Sequence, residues 1–139
     1  MEFFLDANIL FSACVSPTGR SAALIDLANR GFCKTFTSAH AVEEARRNLE
    51  ARYPKELPRL EVILRIVETI PEAPPDTVER IQQTYDLPAE DAPVLAAAIA
   101  GAVDAFVTGD RTHFGRLFGR TGNGVRILSL REALKKALE

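Results

Sequence analysis

The stretch AEDAPVLAAAIAGAVDAFVTGD, residues 89–110, combines a helix pattern with a strand pattern. Its first part is rich in alanine, and Pro93 lies where the first turn of a helix tolerates a proline, so we predict a helix over Ala89–Ala102. The short apolar run Ala105–Val107 is typical of a strand that is buried on both faces of a parallel sheet. After this strand the chain turns at Asp110, an acid at the start of a basic segment.

The same alternation of apolar runs and helix patterns continues on both sides of this stretch. Further strands are predicted over Glu2–Leu5, Cys33–Thr37 and Val125–Leu128, with a weaker one over Ile66–Ile70. Further helices are predicted over Ser21–Arg30, Ala39–Arg52 with Ser38 as its cap, Pro58–Arg65, the segment from a capping Asp76 to Tyr85, Arg111–Phe118 and Ser129–Leu138. This order predicts an α/β fold: a three-layer α/β/α sandwich with a parallel, roughly five-stranded sheet, formed by residues 1–139 as a single domain.

The composition of the chain excludes several classes of protein. The longest apolar run, Val94–Val103, is far shorter than the roughly 20 residues of a membrane-spanning helix. The N-terminal segment has no basic leader and reads as a strand, and Cys14 and Cys33 lack the spacing of a metal site. We therefore expect a cytoplasmic protein with buried, reduced thiols. The formal net charge of −2 gives no overall indication of nucleic acid binding.

The acidic residues are more informative, because several of them follow strands or begin helices. They are Asp6, Glu43, Glu44, Glu90, Asp91 and Asp110. In an open parallel sheet the strands end, and the following helices begin, at one edge, where ligands bind. Helix capping explains Asp91 or Asp110 taken alone equally well, and Asp6 could cap a helical turn that starts at Ala7. Asp6 is nevertheless unusual, since it interrupts the apolar stretch FFLDANILF.

Metal binding is the second explanation for these acids. Several carboxylates at one edge repel each other, and a divalent cation removes that repulsion. Mg²⁺ or Mn²⁺ accepts oxygen ligands of this kind, and it can activate water and neutralise a phosphodiester. No phosphate-binding glycine loop or nucleophile elbow points to another chemistry.

The basic residues near the acids allow two readings. Arginines at Arg46, Arg47, Arg111, Arg116 and Arg120 suit bidentate phosphate contacts, although solvated helix faces explain each of them as well. His40 is predicted to lie on a helix surface. His113 has either a structural role in the turn or a phosphate contact near Asp110.

Segments spread over most of the chain resemble the PIN domain family. They are LDANIL (5–10), SAHAVEEARRNL (38–49), AEDAPVLAAAIAGAVDAFVTGD (89–110) and RTHF (111–114), in the order and spacing of the family. The resemblance implies a five-stranded parallel sheet between helices, and a ribonuclease that depends on Mg²⁺ or Mn²⁺.

Positions carried over from the family imply a set of site residues. The implied metal-binding and catalytic acids are Asp6, Glu44, Asp91 and Asp110. Glu44 is the better match for the helix acid, because Leu49 then falls where the family has a leucine, and Glu43 is the alternative. Asn8 and Thr108 match polar positions that orient the carboxylates.

Other residues have expected roles outside the group of metal-binding acids. Asp104 matches an acidic position before a strand, where a structural role is expected because the strand separates it from the turn. Arg46, Arg111 or Arg116 would steady the RNA backbone.

The resemblance also implies partners. Many small bacterial proteins of this kind are toxins of toxin–antitoxin pairs, so we expect an RNA substrate, an antitoxin protein and a homodimer. The segment Ser16–Arg20 and the ending TGDRTHF resemble a branch whose role is often undefined, so a PIN nuclease outside such pairs is an alternative. A non-catalytic RNA-binding or assembly module is another, although all four acidic positions are filled. Apolar residues within Leu57–Val67 fit a dimer face and core packing equally well.

Overall fold

A computed structural model describes residues 1–139 and places a mixed sheet between layers of helices. Its six strands are ordered β3-β2-β1-β4-β6-β5. They are β1 Glu2–Leu5, β2 Lys34–Ser38, β3 Glu68–Ile70, β4 Ala105–Val107, β5 Thr121–Gly122 and β6 Val125–Leu128. All neighbouring pairs are parallel except β5 and β6, which form an antiparallel hairpin. The predicted α/β/α sandwich is therefore confirmed, with one more strand than expected.

The strand predictions differ from the structure in three places. β2 begins and ends one residue later than predicted, and β3 contains only the last three residues of the predicted Ile66–Ile70. Val67 is buried in the core without taking part in the sheet. The third difference is β5, which no pattern indicated, because two residues are too few to show the period of a strand.

Eight α-helices complete the fold. They are α1 Ala7–Val15, α2 Arg20–Asn29, α3 Ala39–Arg52, α4 Leu57–Ile63, α5 Pro75–Tyr85, α6 Ala92–Ala100, α7 Arg111–Phe114 and α8 Leu130–Ala137. Short 3₁₀ turns, Pro54–Glu56 and Gly115–Leu117, precede α4 and follow α7. No helix of the structure has the length and apolar character needed to cross a bilayer.

Several predicted helix boundaries are corrected by the structure. α1 is a helix of nine residues where only one turn was considered. Asp76 is not the cap of α5, because Pro74 holds that position and Asp76 lies in the first turn. α6 begins at Ala92 and not at Ala89, since Pro93 lacks an N–H and fits only in a first turn. The predicted helix Arg111–Phe118 divides into α7 and a 3₁₀ turn.

The core explains most of the apolar pattern. A continuous cluster of 36 buried residues fills the molecule, and within it the ring of Phe106 packs against those of Phe4 and Phe114. Within Leu57–Val67, the side chains of Leu60, Ile63 and Val67 belong to this cluster, whereas Val62 is 53% exposed. Core packing therefore accounts for most of the apolar residues in that segment.

The register of the two central strands creates one crowded edge. β1 and β4 are parallel neighbours, and Leu5 lies opposite Val107. The backbone N–H of Asp6 donates to the carbonyl of Val107 at 3.0 Å. Asp6, which follows β1, and Thr108, which follows β4, therefore lie side by side where the two strands end.

Candidate active site

Asp6 is the most buried acid of this edge, with 6% of its surface exposed. It is the N-cap of α1: its Oδ1 accepts a hydrogen bond from the N–H of Ala7 at 2.8 Å. Its Oδ2 accepts hydrogen bonds from the hydroxyl of Thr108 at 2.7 Å and from Nδ2 of Asn8 at 3.2 Å. Capping is therefore real at this position, but it uses only one of the two carboxylate oxygens.

Asn8 and Thr108 connect α1 to the turn after β4. Nδ2 of Asn8 donates to Oγ1 of Thr108 at 3.2 Å, and Oδ1 of Asn8 accepts from the N–H of Gly109 at 2.7 Å. The N–H of Asp110 donates to Oγ1 of Thr108 at 3.1 Å. These bonds join both residues to Asp6 and to the backbone that carries Asp110.

The carboxyl group of Asp6 is held in an unfavourable environment for a charge. Burial raises its pKa from 3.8 to about 6, and the hydrogen bonds from Thr108 and Ala7 oppose this rise. The negative charges of Glu44 and Asp91 raise the pKa of Asp6 further. Asp6 after β1, Glu44 in α3 and Asp91 before α6 are therefore close enough to repel each other.

Asp91 and Asp110 approach each other through His113. Asp110 caps α7, because its Oδ1 accepts from the N–H of His113 at 3.1 Å. Asp91 stands at the cap position of α6 but makes no capping hydrogen bond. Nδ1 of His113 lies 2.9 Å from Oδ2 of Asp110 and 2.8 Å from Oδ2 of Asp91. Capping thus explains Asp110 in part, and it does not explain Asp91.

One oxygen of this group has no hydrogen-bond donor. Oδ2 of Asp91 is buried, and the nearby ring of His113 does not have the geometry of a hydrogen bond to it. Burial raises the pKa of Asp91, the charge of His113 lowers it, and the carboxylates of Asp110, Glu90 and Glu44 raise it again. A buried carboxylate oxygen that accepts no hydrogen bond is costly unless a partner is supplied.

The structure distinguishes the two neighbouring glutamates of α3. Glu44 is half-buried, and its charge acts on the pKa of both Asp6 and Asp91. Glu43 is exposed and acts on neither. Because adjacent helix residues point about 100° apart, only Glu44 faces this group of acids.

A family model described as PIN domain matches residues 2–112 of the chain. The chain belongs to the PIN domain family. Members of this family are metal-dependent nucleases. No curated protein matches the sequence.

Solved structures share the fold over nearly the whole chain. PAE2754 from Pyrobaculum aerophilum has a TM-score of 0.69 and 19% identity, covering 99% of this chain and 97% of that one. VapBC2 from Rickettsia felis, bound to a DNA fragment from its promoter, has a TM-score of 0.70 and 15% identity, covering 93% and 98%. FitAcB from Neisseria gonorrhoeae has a TM-score of 0.62 and 21% identity, covering 93% and 98%. At these identities the likeness concerns the fold.

The acidic edge of this PIN domain fits a divalent cation. Ligand atoms of Asp91, Asp110 and His113 lie within 4.8 Å of one another. The oxygen of Asp91 that accepts no hydrogen bond belongs to the same group, so a cation would supply a partner that hydrogen bonding does not. Carboxylates and an imidazole are ligands that first-row divalent metals accept.

The three arginines expected at the RNA backbone have different environments. Arg46 forms an ion pair with Glu61 at 3.2 Å. Arg116 donates to the carbonyl of Asp86 at 2.9 Å and to that of Tyr85, and thereby fastens the segment after α7 to the end of α5. These hydrogen bonds give Arg116 a structural contact, and its RNA contact stays a prediction. Arg111 is exposed and forms no ion pair or side-chain hydrogen bond, so it alone stays available to a ligand.

His113 is the residue whose position the sequence left undecided. Its spacing of three residues from Asp110 indicates contact within one helical turn. Its contact with Asp91 depends on the sheet and on α6, so no local pattern reveals it. His40 lies on α3, as expected of a helix residue.

Proposed function

We propose that this PIN domain is a ribonuclease that depends on Mg²⁺ or Mn²⁺. The proposed metal-binding and catalytic residues are Asp6, Glu44, Asp91 and Asp110. The observation that carries the proposal is the buried Oδ2 of Asp91, which lacks a donor inside a cluster of mutually repelling carboxylates. When bound, a divalent cation lowers the pKa of a coordinated water and neutralises charge on a phosphodiester.

The residues of the chain have separate tasks in this proposal. Thr108 and Asn8 hold the carboxylate of Asp6 in one orientation. The cap of α7 fixes Asp110, because its Oδ1 is tied to the N–H of His113. Asp91 makes no capping hydrogen bond, and its Oδ2, which accepts no hydrogen bond, is the oxygen that a cation would stabilise most. Glu44 contributes the fourth carboxylate from α3, and its charge acts on both Asp6 and Asp91.

Substrate binding requires positive charge, because the acids by themselves repel a phosphate backbone. Arg111 is exposed directly beside Asp110 and is the arginine that we propose contacts RNA. The preference for RNA over DNA is implied by the family resemblance.

A cleavage assay tests the proposed activity. Single-stranded RNA, single-stranded DNA and a phosphate monoester are incubated with the protein in Mn²⁺, Mg²⁺ or EDTA. We expect cleavage of RNA in either metal, and its loss in EDTA and in D6N, D91N and D110N. D104N is the matched control: Asp104 precedes β4 at the opposite edge, where it accepts from the N–H of Glu2 at 2.6 Å. Equal cleavage by wild type and D6N would refute the site.

We further propose that the protein is a toxin held inactive by an antitoxin protein, that it acts in the cytoplasm and that it forms a homodimer. VapBC2 and FitAcB share its fold, and both cysteines of the chain are buried free thiols, as suits a reducing compartment. Expression of the wild type, but not of D6N, should arrest bacterial growth, and a small protein encoded immediately upstream should restore it. Sedimentation analysis tests the dimer. A PIN nuclease outside such pairs would cleave RNA without arresting growth.

A non-catalytic RNA-binding module is the second candidate. The charge of Arg111 beside the acids suits RNA binding with or without cleavage. Calorimetric titration separates the two, because a module without a metal site would bind RNA but show no heat with Mn²⁺ or Mg²⁺.

A further inference from the structure

The imidazole of His113 lies between two carboxylates that belong to different elements. Asp91 precedes α6 and Asp110 precedes α7, and Nδ1 of His113 is within 2.9 Å of an oxygen of each. The side chain of His113 is 39% exposed, whereas that of Asp91 is 17% exposed. The ring therefore forms the solvent side of the cluster, and an ion can reach it.

Hydrogen bonding does not account for both contacts of this nitrogen. Nδ1 carries at most one hydrogen, and its contact with Oδ2 of Asp110 has hydrogen-bond geometry. The contact with Oδ2 of Asp91 does not, and that oxygen has no other donor. Oδ2 of Asp91 and Oδ2 of Asp110 thus both lie against Nδ1 of His113, whose single hydrogen can bond to only one of them.

The same distances suit atoms that share one metal ion. An octahedral ion with bonds of about 2.1 Å keeps neighbouring ligand atoms about 3 Å apart. Nδ1 is 2.8 Å from one carboxylate oxygen and 2.9 Å from the other. The backbone also helps to position this nitrogen. The N–H of His113 donates to Oδ1 of Asp110, so that Oδ2 of Asp110 lies next to Nδ1 of the ring.

We propose that Nδ1 of His113 is a metal ligand in this chain, together with Asp91 and Asp110, and that it makes the site prefer transition-metal ions to Mg²⁺. The proposal rests on the metal-dependent function proposed above. Imidazole nitrogen binds the later first-row ions well, whereas Mg²⁺ selects oxygen and water. A site of carboxylates alone has a weaker preference for these ions.

Binding measurements test the preference without any assay of activity. Calorimetry with Co²⁺ and with Mg²⁺ is performed on the wild type, H113A, H113N and H40Q. His40 is the only other histidine of the chain and serves as the matched control. We expect H113A to weaken Co²⁺ binding by at least about 10-fold, because loss of even an outer-shell partner of a ligand costs about 10- to 100-fold, and to weaken Mg²⁺ binding by less than about threefold. H113N replaces the imidazole by an amide of similar length, whose NH₂ group cannot bind a metal as Nδ1 does, and it should also lose the preference for Co²⁺.

Electron spin-echo spectroscopy with bound Mn²⁺ supplies a direct readout of the ligand atom. We expect a ¹⁴N coupling in the wild type and in H40Q, and its absence in H113A. Should H113A fail to fold, as judged by its circular dichroism in EDTA, the coupling in H40Q still identifies His113.

The outcomes separate this inference from the proposed function. Metal binding without a nitrogen coupling, or an equal loss of Co²⁺ and Mg²⁺ in H113A, overturns the role of His113 and leaves the acidic site intact. A wild-type protein that binds none of these ions overturns both.

Discussion

Asp6 places a carboxylate where little of it reaches water, and the hydrogen bonds that it receives compensate only in part. Its pKa of about 6 expresses that imbalance, because the folded protein favours the protonated acid over the ionised one. In the ion-free protein, ionised Asp6 therefore lowers the free energy of unfolding at neutral pH, and the charges of Glu44 and Asp91 increase this loss.

This cost predicts an unusual dependence of stability on pH for the metal-free protein. The pKa of Asp6 is raised from 3.8 to about 6 in the folded state. Its stabilising contribution is thus complete below pH 3.8 and is lost as the pH rises through about 6. At 1.36 kcal/mol per pH unit, the loss amounts to at most about 3 kcal/mol. Urea unfolding in EDTA between pH 4 and pH 7 measures it.

The variant D6N has no carboxyl group at this position, so its stability should fall less steeply over the same pH range. Some slope should remain, because the pKa of Asp91 is raised as well. Parallel pH profiles for the wild type and D6N would show that Asp6 is ionised at little cost.

Arg111 predicts a measurable effect on RNA affinity. In a D6N background, which prevents cleavage, R111A should weaken binding of single-stranded RNA and reduce the slope of log K against log salt by about 1, because one phosphate contact is lost. Fluorescence polarisation at several salt concentrations measures both quantities. Arg30, the C-cap of α2, is paired with Asp26 at 3.0 Å and provides the control R30A. Identical slopes for R111A and R30A would contradict the assignment.

Single residues differed in how far the sequence could predict them. Asp6 was conspicuous because it interrupts an apolar strand and helix. Glu43 and Glu44 are adjacent, so only the helix rotation seen in the structure separates them. The contact of His113 with Asp91 joins positions 22 residues apart, and no pattern within one element contains it.

At the scale of elements, the segment after α7 is fastened to the end of α5. Arg116 donates to backbone carbonyls there, and the hydroxyl of Tyr85 accepts from Nδ2 of Asn123 at 3.1 Å. The β5–β6 hairpin and the turn that carries Asp110 are thereby held against the loop that leads to Asp91. These contacts connect the segment that follows Asp110 to the segment that precedes Asp91.

Gly122 of β5 lies directly against the side chain of Tyr85 at the end of α5. A Cβ at Gly122 would overlap the hydroxyl of Tyr85 and lie 2.9 Å from the ring carbon that bears it. We expect G122A to lower the free energy of unfolding by about 1–3 kcal/mol, because the whole ring must shift. Chemical denaturation measures this loss.

Two further variants check the cause of the effect. At Gly115 a Cβ would meet only Cβ of Arg111 at 3.6 Å, so G115A should be nearly neutral. Removal of the ring in Y85A should make the added G122A change much less costly. Additive effects of Y85A and G122A would exclude the overlap as the reason.

Elements were predictable where their pattern was long. The bounds of α3 agree with the prediction because Ser38 caps it and fourteen residues repeat its period. α1 was reduced to one turn, because its apolar residues continue those of β1 and hide the change of period at Asp6. β5 exists only through its pairing with β6, which no stretch of two residues can reveal.

At the scale of the whole molecule, sheet order brings the acids together. β1 and β4 are neighbours although about 100 residues separate them, so Asp6 and Asp110 share an edge while Asp104 lies at the other end of β4. The alternation of elements predicted the layers and the common edge, since parallel strands all end on the same side. The order of strands, and with it the partner of each acid, required the folded structure.

This crowding predicts that a divalent ion stabilises the folded molecule as a whole. An ion that binds only the folded state raises the free energy of unfolding by about 2.7 kcal/mol at one hundred times its Kd. For a protein of this size that corresponds to a rise in Tm on the order of 10 °C. Thermal unfolding with increasing Mn²⁺ measures the shift. D91N should lose most of it, because its amide no longer offers the anionic oxygen that lacks a partner. D104N should retain it in full, since that acid is remote from the cluster and bound to the N–H of Glu2. Equal shifts in D91N and D104N would mean that Mn²⁺ binds the surface at large, and that the repulsion among the acids is relieved in some other way.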